Sequence, residues 1–385
     1  MRRRSRSSWQ LSAVSRQLSA VNILLIRLRL IGDVVFTTPA VRALRRRFPD
    51  ARISYVVEPG SWAVVLGNPN LNDVIVAPLG RGLDRLRWDL AIAWKLRKKR
   101  FDLVIDFHGG PRSSWFAWAT GAPQRIGYRV VARSWMYTTL VERPRELRRR
   151  HSVENQWDLL APLGIAGPDS RTDPTEMPID SKAAEQAEER LAEAGWRRGD
   201  RLIVVHVSAG NPFRRWPAAS FVELIEHLAR GDASRRILLT AGPSDDAAAR
   251  TIAEAVRERL GDAQRHAILD QAEEFSLAEL RAVLEHASLF IGGDSGPLHV
   301  AGTTAVPIVG LYGPTLPERS KPWRDPVFAS ESVDVGELPC RPCDQRRCIP
   351  GDFRCLVTLA PSAVLASAER LLRSSRARQA DTPQT

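Results

Sequence analysis

Short apolar runs rich in β-branched residues alternate with longer helical patterns, and this alternation occurs twice along the chain. The first series predicts helices at residues 39–47 and 91–100 and strands at residues 23–27, 53–57, 74–77 and 103–106. The second predicts helices at 182–193, 218–229, 245–260 and 277–286 and strands at 202–207, 236–240, 267–269, 289–291 and 306–311. Such alternation is typical of parallel sheets covered by helices on both faces. We therefore predict an α/β protein with two Rossmann-like domains that face a cleft, where ligands bind at the carboxyl ends of strands.

A polar segment with several prolines at residues 167–181 is the best candidate for the linker between these domains. The chain has 385 residues, which suits two domains. We divide it into four parts: a basic extension at residues 1–21, an N-terminal domain at 22–180, a C-terminal domain at 181–360, and a final helix with a disordered tail at 361–385. The final helix is predicted to span 361–373. The extension mixes polar residues into its apolar run, so we interpret it as an extension or a misplaced start rather than a signal peptide.

The formal net charge of +12 favours anionic partners such as nucleic acid, acidic lipid headgroups or phosphorylated glycans. A solvated, arginine-rich surface is an equally good interpretation. The chain has no zinc-finger spacing of the Cys/His kind and no lysine-rich tail, so we do not expect nucleic acid as a partner. No apolar run approaches the roughly 20 residues that a membrane-spanning helix needs.

All four cysteines fall in one short segment, at residues 340–355, with the spacing C-x2-C-x4-C-x6-C. Their absence elsewhere fits a reducing compartment. The spacing is compatible with a structural zinc site, whereas two disulfides or free thiols on an ordered loop are the alternatives. None of these interpretations makes the segment catalytic. The candidate zinc ligands are Cys340, Cys343, Cys348 and Cys355.

The first predicted strand leads into RLRLIGDVVFTTPAVRAL, a turn that carries one glycine and one aspartate. Gly32 permits a tight turn or the close approach of a ligand. Thr38 and Pro39 are predicted as the N-cap and first residue of the next helix, which leaves Asp33 free for another task. A carboxylate at the mouth of a cleft is a candidate general base, and a local cap of the turn is the alternative role.

Two loops in the second half of the chain suit a phosphorylated ligand. The loop HVSAGNPFRRWP contains Asn211 and Arg214 among small residues before a helix, and backbone amides with a guanidinium bind anions. The segment GGDSGPLH ends a strand and begins a helix, whose free amides suit a diphosphate. Asp294 and Ser295 can cap this helix or bind ligand hydroxyls, and His299 can turn its ring towards the phosphates. Taken alone, the first loop could equally be exposed to solvent and His299 could be structural.

Together these loops resemble glycosyltransferase family nine, the ADP-heptose:lipopolysaccharide heptosyltransferase family. The resemblance rests on the opening turn, on NPFRRWP, on GGDSGPLHVAG and on the later YGPT, and it includes the segments DFHGG and RIGY. It covers residues 21–372. It implies the GT-B architecture, with the nucleotide sugar in the C-terminal domain and the acceptor in the N-terminal domain, and it implies sugar transfer with inversion.

The resemblance also implies roles for individual residues. Asp33 would be the general base. Asp246 matches an acidic position near the nucleoside, and Arg214 stands where the family usually has lysine, so it keeps the charge with a different geometry. The expected donor-binding residues are Arg214, Asn211, Asp246, Asp294, Ser295, Gly296 and His299. The expected acceptor-binding residues are Gly32, Arg27 and His108.

The resemblance predicts transfer of a heptose from ADP-heptose to a lipopolysaccharide inner-core acceptor or another anionic glycolipid. A single displacement needs one base, and no Asp-x-Asp metal motif is present, so we expect no cofactor beyond the nucleotide sugar. The protein is expected in the cytoplasm or at the inner face of the inner membrane, with the anionic membrane surface as a further partner. The alternatives are another nucleotide sugar in surface-glycan synthesis and a non-catalytic nucleotide-sugar-binding protein. An NAD-dependent enzyme is disfavoured because no G-x-G-x-x-G follows the first strand.

Overall fold

The structure, a computed structural model, describes residues 21–380 except residues 144–148, 243–244, 263, 270–273 and 344, and it does not describe the side chains of residues 375–380. The predicted basic extension, apart from its last residue, and the last five residues of the predicted tail therefore lie outside the described residues. The final helix continues to Ala380, so the tail prediction was wrong for the residues between 373 and 380. This stretch is rich in alanine and arginine, which favour helix.

Within the described residues, the first half of the chain forms a six-stranded parallel sheet in the order β3-β2-β1-β4-β5-β6. The strands are β1 (Asn22–Ile26), β2 (Arg52–Val57), β3 (Asp73–Val76), β4 (Leu103–Asp106), β5 (Gln124–Tyr128) and β6 (Thr139–Val141). The helices are α1 (Ile31–Val35), α2 (Thr38–Arg47), α3 (Gly82–Lys98), α4 (Pro111–Ala119) and α5 (Ser152–Trp157).

The described part of the second half forms a five-stranded parallel sheet in the order β11-β10-β9-β7-β8. The strands are β7 (Arg201–His206), β8 (Arg235–Thr240), β9 (Ala287–Gly293), β10 (Ile308–Leu311) and β11 (Ser330–Val333). The helices are α6 (Ser181–Glu193), α7 (Ala218–Gly231), α8 (Asp246–Leu260), α9 (Leu277–His286), α10 (Gly296–Ala301), α11 (Pro317–Ser320), α12 (Arg354–Val357) and α13 (Pro361–Ala380). Two parallel sheets covered by helices confirm the predicted fold class.

The central strands are apolar at their inner positions because both faces of each sheet are covered. Along β1, Ile23 and Leu25 pack into one hydrophobic cluster while Leu24 and Ile26 pack into another. Successive side chains of a strand point to opposite faces, so a strand buried on both sides consists of an unbroken apolar run. The first of these clusters also includes residues of the second sheet, such as Phe290, so the two halves share one core.

Most predicted elements are confirmed to within two residues at each end, but several were missed or misplaced. The helices α4, α5, α11 and α12 and the strands β5, β6 and β11 were not predicted, and all of them are short. Helix α3 begins at Gly82 rather than at residue 91. The strand predicted at 267–269 was wrong, because only Ile268 forms an isolated bridge, with Ile237, and a 3-10 turn precedes it.

The predicted opening turn is instead the one-turn helix α1, which contains both Gly32 and Asp33. Helix α2 follows almost at once and begins at Thr38, so Thr37 takes the N-cap position and the predicted cap at Thr38 was wrong. Neither threonine caps an amide with its side chain. Their hydroxyls donate backwards to the carbonyls of Val34 and Val35, because helical backbone already precedes them.

The predicted linker contains no helix or strand between residues 164 and 180, but it is fixed by hydrogen bonds to both halves of the chain. Thr175 donates its amide and its hydroxyl to the carbonyl of Trp323, over 3.0 and 2.8 Å. The amide of Glu176 donates to the hydroxyl of Thr38 over 2.9 Å, and its carboxylate pairs with Arg42. The limits of the two domains stay a prediction, although the segment lies between the two sheets along the chain.

Helices α1 and α10 pack directly against each other and join the two halves at the predicted site. A Cβ atom at Gly32 would lie 2.2 Å from Cδ2 of His299, and one at Gly296 would lie 3.0 Å from Cβ of Ile31. Each glycine therefore makes room for a side chain of the opposite helix. The glycine at position 32 was expected to admit an acceptor, but the space that a side chain would need there is occupied by His299.

We expect Gly32→Ala to destabilise the protein by about 1–3 kcal/mol, because the added methyl group must displace the buried imidazole of His299. Urea unfolding followed by circular dichroism measures the change. Gly60→Ala is the matched control, since a Cβ at Gly60 has no atom within 4 Å. Equal stability of the two variants would show that the close contact between α1 and α10 is not a constraint.

Candidate functional site

The three predicted loops line one cleft of about 800 Å³ between the two sheets. Its walls come from α1, from the loop after β7 and from the start of α10, which all follow the carboxyl ends of parallel strands. The structure brings together eight of the predicted residues in this lining: Gly32, Asp33, Asn211, Arg214, Asp294, Ser295, Gly296 and His299. Three others, Arg27, His108 and Asp246, are not part of the lining.

A second depression of similar volume, about 820 Å³, lies beside α6 and α9 and contains none of the predicted residues. Its lining includes Glu189 and Glu279, as well as Glu274, which also lines the cleft. These carboxylates would repel a phosphorylated ligand, although Arg190 partly offsets them through its ion pair with Glu279. The cleft with Asp33 and Arg214 is therefore the better candidate site.

Asp33 lies in the single turn of α1, and its side chain is 30% exposed to the cleft. Its carboxylate pairs with the guanidinium of Arg27, which is itself mostly buried. Arg27 also donates to the carbonyl of Phe107 over 2.7 Å, so the loops after β1 and β4 are tied together. The arginine holds the carboxylate in position while one side of it remains open to a ligand.

His108 lies behind this ion pair, in the loop that follows β4. Burial lowers the pKa of His108 to about 4, and the positive charge of Arg27 lowers it further than burial alone would. The ring is therefore neutral at physiological pH. Among the described residues, its Nδ1 has no hydrogen-bond partner. A neutral imidazole of this kind can accept or donate one hydrogen bond to a ligand that reaches it.

The buried Asp106 at the end of β4 shapes this loop. It was not among the predicted site residues. Its carboxylate accepts from the amides of His108 and Gly109, at 2.9 and 3.0 Å, and from the hydroxyl of Tyr137 at 2.6 Å. Burial raises the pKa of Asp106 against the effect of these hydrogen bonds. The aspartate after a buried strand was visible in the segment DFHGG, but its partner Tyr137 lies 31 residues away along the chain.

On the opposite wall, Asp294 is a buried hub and not an exposed ligand-binding group. Its Oδ2 accepts from the hydroxyl of Thr315 at 2.6 Å and lies 3.2 Å from Nη1 of Arg214. Its Oδ1 lies 3.4 Å from Nε2 of His299. Burial raises the pKa of Asp294, but the interactions with His299 and Arg214 outweigh it and hold the pKa at about 2. The carboxylate is therefore ionised and orients both basic side chains.

Two polar atoms next to this hub remain available to a ligand. The hydroxyl of Ser295 and Nδ1 of His299 are buried and have no hydrogen-bond partner among the described residues. Ser295 occupies the N-cap position of α10 but its side chain does not cap the helix. A buried polar group without a partner is costly, so both atoms are suited to bind a polar ligand in the cleft.

Arg214 ends a 3-10 turn that begins at Pro212, and its guanidinium is held on two sides. Nη1 donates to the carbonyl of Asp294 over 2.7 Å, and Nε donates to Oε1 of Gln345 over 2.7 Å. Asn211 uses Oδ1 to cap the turn and donates Nδ2 to the same Oε1 of Gln345 over 3.0 Å. Gln345 therefore fixes both predicted donor-binding residues of this loop.

Gln345 was not predicted because it lies in the cysteine segment, 131 residues after Arg214.

The four cysteines of that segment are free thiols, so the disulfide alternative is not realised. They line a separate cavity of about 290 Å³. In the described part of the chain no group of three or more His, Cys, Asp or Glu side chains is arranged to hold a metal ion, so the possible structural zinc has no support.

Asp246 lies outside the cleft, at the start of α8. Its carboxylate pairs with Arg250 over 2.5 Å and borders a smaller neighbouring cavity. Its predicted contact with a nucleoside stays a prediction. The cleft does adjoin that cavity, because Ala241 and Glu274 line both.

Within the described residues, no helix is both long and apolar enough to cross a membrane.

Several known proteins are similar to this chain over most of its length. Lipopolysaccharide heptosyltransferase 3 of Escherichia coli is 27% identical over 357 residues, which are 90% of this chain and 98% of that protein. A glycosyltransferase family 9 structure from Veillonella parvula has a TM-score of 0.75 and 25% identity, over 92% of this chain and 97% of that one. The structure of E. coli ADP-heptose lps heptosyltransferase II has a TM-score of 0.74 and 19% identity, over 92% of this chain and all of that one.

The likeness to these solved structures confirms the predicted GT-B architecture. The family model of glycosyltransferase family 9 (heptosyltransferase) matches residues 90–351, which is more than half of the chain. The resemblance stated from the motifs is thereby confirmed. This chain belongs to glycosyltransferase family 9 (heptosyltransferase), and it is a glycosyltransferase.

Proposed function

We propose that this protein transfers a heptose from ADP-heptose to a hydroxyl group of a lipopolysaccharide inner-core acceptor, with inversion at the anomeric carbon. The observation that carries the proposal is the shared cleft, in which the carboxylate of Asp33 and the basic group of Arg214 line opposite walls. The names of the relatives support the donor and the acceptor, since one is a lipopolysaccharide heptosyltransferase and another an ADP-heptose lps heptosyltransferase.

The wall around α10 would bind the donor. Arg214 supplies positive charge for the diphosphate, and the backbone amide of Gly296 with the hydroxyl of Ser295 supplies hydrogen bonds. His299 would donate or accept one bond through its unpartnered Nδ1. As the bond between the sugar and the diphosphate breaks, negative charge grows on ADP, and Arg214 is placed to stabilise it.

The wall around α1 would bind the acceptor. The acceptor oxygen attacks the anomeric carbon from the face opposite the diphosphate, and its proton passes to the carboxylate of Asp33. One carbon–oxygen bond forms while the bond to the diphosphate breaks, and ADP leaves with the electron pair. A single displacement of this kind needs only one base. Arg27 keeps the carboxylate aimed at the cleft, and His108 lies behind it as a neutral ring.

Asp33→Asn tests the base. We expect turnover to fall by about 10²–10⁴-fold with little change in the affinity for ADP, because the amide keeps the shape of the side chain but takes no proton. Transfer is measured with ADP-heptose and an inner-core acceptor, and ADP binding by calorimetry. Asp50→Asn, at an exposed carboxylate outside the cleft, is the control. Turnover like that of the wild type in Asp33→Asn would exclude Asp33 as the base.

Gln345→Ala tests the support of the donor wall. We expect the affinity for ADP to weaken by about 5–30-fold, because Arg214 and Asn211 lose the oxygen that holds them. The loss of ADP affinity caused by Gln345→Ala should be much smaller in a protein that already carries Arg214→Ala, since the two residues act together. Gln186→Ala, on the exposed face of α6, serves as the control. Additive losses in the double variant would mean that Gln345 does not act through Arg214.

One observation favours a nucleotide sugar other than ADP-heptose as the donor. Asp246, the acidic residue predicted near the nucleoside, lies outside the cleft and pairs with Arg250. A nucleotide other than ADP would then suit the site equally well, in the synthesis of another surface glycan. A screen of ADP-, GDP- and UDP-sugars separates the two possibilities.

We further propose that the protein acts in the cytoplasm at the inner face of the inner membrane, because its acceptor would be anchored there and the chain carries a net charge of +12.

A further inference from the structure

The first half of α3 projects from the first sheet with almost no cover. Eight of the nine residues between 82 and 90 are exposed, and Asp89 is the exception. The second half anchors the helix by burying Ile92, Ala93 and Leu96 against the sheet. The exposed half is therefore held in place by its own continuation and by the ion pair of Asp89 with Arg112.

This helix carries a second apolar stripe that faces away from the core. Leu83, Leu86, Leu90 and Trp94 follow one another at intervals of three, four and four residues, so they lie on one face of the helix. They are 79%, 55%, 52% and 62% exposed. A surface helix normally turns its apolar residues to the core and its polar residues to solvent, so an outward apolar stripe indicates a binding surface.

The stripe is surrounded by positive charge. Residues 81–100 include eight arginines and lysines but only two aspartates. One of these, Asp89, is paired with Arg112 over 2.6 Å, so it contributes little negative field. The ammonium group of Lys98 lies 3.4 Å from the centre of the Trp94 ring. Leucine and tryptophan set among basic side chains are the composition of helices that lie in the headgroup region of anionic membranes.

Neighbouring elements extend the same surface. Helix α4 packs beside α3 and exposes Trp118, and the 3-10 turn at Ser134–Met136 exposes Trp135. The two rings touch edge to face at 5.8 Å. Tryptophan is enriched where membrane meets water, because its ring is apolar and its N–H is polar.

The stripe begins close to the proposed acceptor side of the cleft. Helix α3 follows β3, and Asp33 follows β1, so both start at the carboxyl edge of one parallel sheet. Only β2 separates β3 from β1, which places the two strand ends about 10 Å apart. The start of the stripe therefore lies at the same edge of the sheet as the loop that carries Asp33.

We propose that the outer face of α3, defined by Leu83, Leu86, Leu90 and Trp94, is the surface by which this protein docks on an anionic bilayer. The leucines and Trp94 enter the interfacial region, and the surrounding arginines and lysines contact lipid phosphates. The inference that this docking presents a lipid-anchored acceptor to Asp33 rests on the proposed function. The docking itself requires neither donor nor acceptor.

Flotation of the full chain with vesicles tests the docking. Wild-type protein should bind vesicles that contain phosphatidylglycerol and bind weakly to pure phosphatidylcholine, and the binding should weaken as salt is raised. The double variant Leu86→Ser/Trp94→Ser should partition at least about tenfold more weakly. Ile179→Ser/Val327→Ser is the matched control, because both side chains are exposed and lie elsewhere. Circular dichroism and thermal unfolding verify that both variants fold.

Lys95→Glu provides a charge variant on the same helix. It should weaken binding to anionic vesicles at low salt and lose that effect at high salt, because the lipid attraction is screened. Equal vesicle binding by the stripe variant and its control would overturn the proposal. So would a wild-type protein that fails to bind anionic vesicles. Loss of a dimer in sedimentation, with vesicle binding unchanged, would assign the face to a second copy of the chain and also overturn it.

An activity assay separates this proposal from the proposed function. The stripe variant should transfer sugar to a deacylated, water-soluble acceptor as fast as the wild type, but at least about fivefold more slowly to the same acceptor embedded in anionic vesicles. Equal slowing on both acceptors would contradict a docking role and indicate damage to the site. If the wild type transfers to neither acceptor, the proposed function fails, while the vesicle experiment still decides the docking.

Discussion

The site depends on the contact between α1 and α10, where each helix offers a glycine to a side chain of the other. The imidazole of His299 occupies the place of a side chain at Gly32, and Ile31 approaches Gly296 in the same way. Close packing of this kind allows few alternative positions, because an added methyl group would overlap atoms already there. It brings the loop after β1 and the loop after β9 to one cleft.

Buried carboxylates organise the two walls of that cleft in the same way. Asp106 gathers the amides of its own loop and the hydroxyl of Tyr137, and Asp294 gathers Thr315, Arg214 and His299. Neither is free to bind a ligand with all its oxygens. Their effect is to fix the groups around them, since a buried carboxylate is tolerated only where hydrogen bonds or opposite charges surround it. Asp33 differs from both because its carboxylate is partly exposed to the cleft.

The sequence was sufficient for the fold class and for most of the cleft. Buried parallel strands consist of continuous apolar runs and ligand loops follow their carboxyl ends, so the strand pattern alone placed Asp33, Arg214 and Asp294 at sheet edges that could meet. It failed where the local pattern was weak, as in β5 and β6, and where helical backbone continued through a supposed turn, as at Thr37 and Thr38. The role predicted for Asp246 stays a prediction, and its side chain pairs with Arg250 one helical turn away.

By itself the sequence determined which residues could carry the chemistry, because residue type and position relative to a strand end are properties of the chain. The tertiary structure alone decided which of them act together. Gln345 reaches Arg214 across 131 residues, and His299 fills the space beside Gly32 from about twice as far along the chain. The periodicity of apolar residues also does not distinguish a stripe that faces the core from one that faces solvent. In α3 the buried Ile92 and Leu96 face the sheet, and this orientation leaves the leucines of the other stripe exposed. Pairing and exposure depend on the packing of distant segments, and no local pattern records that packing.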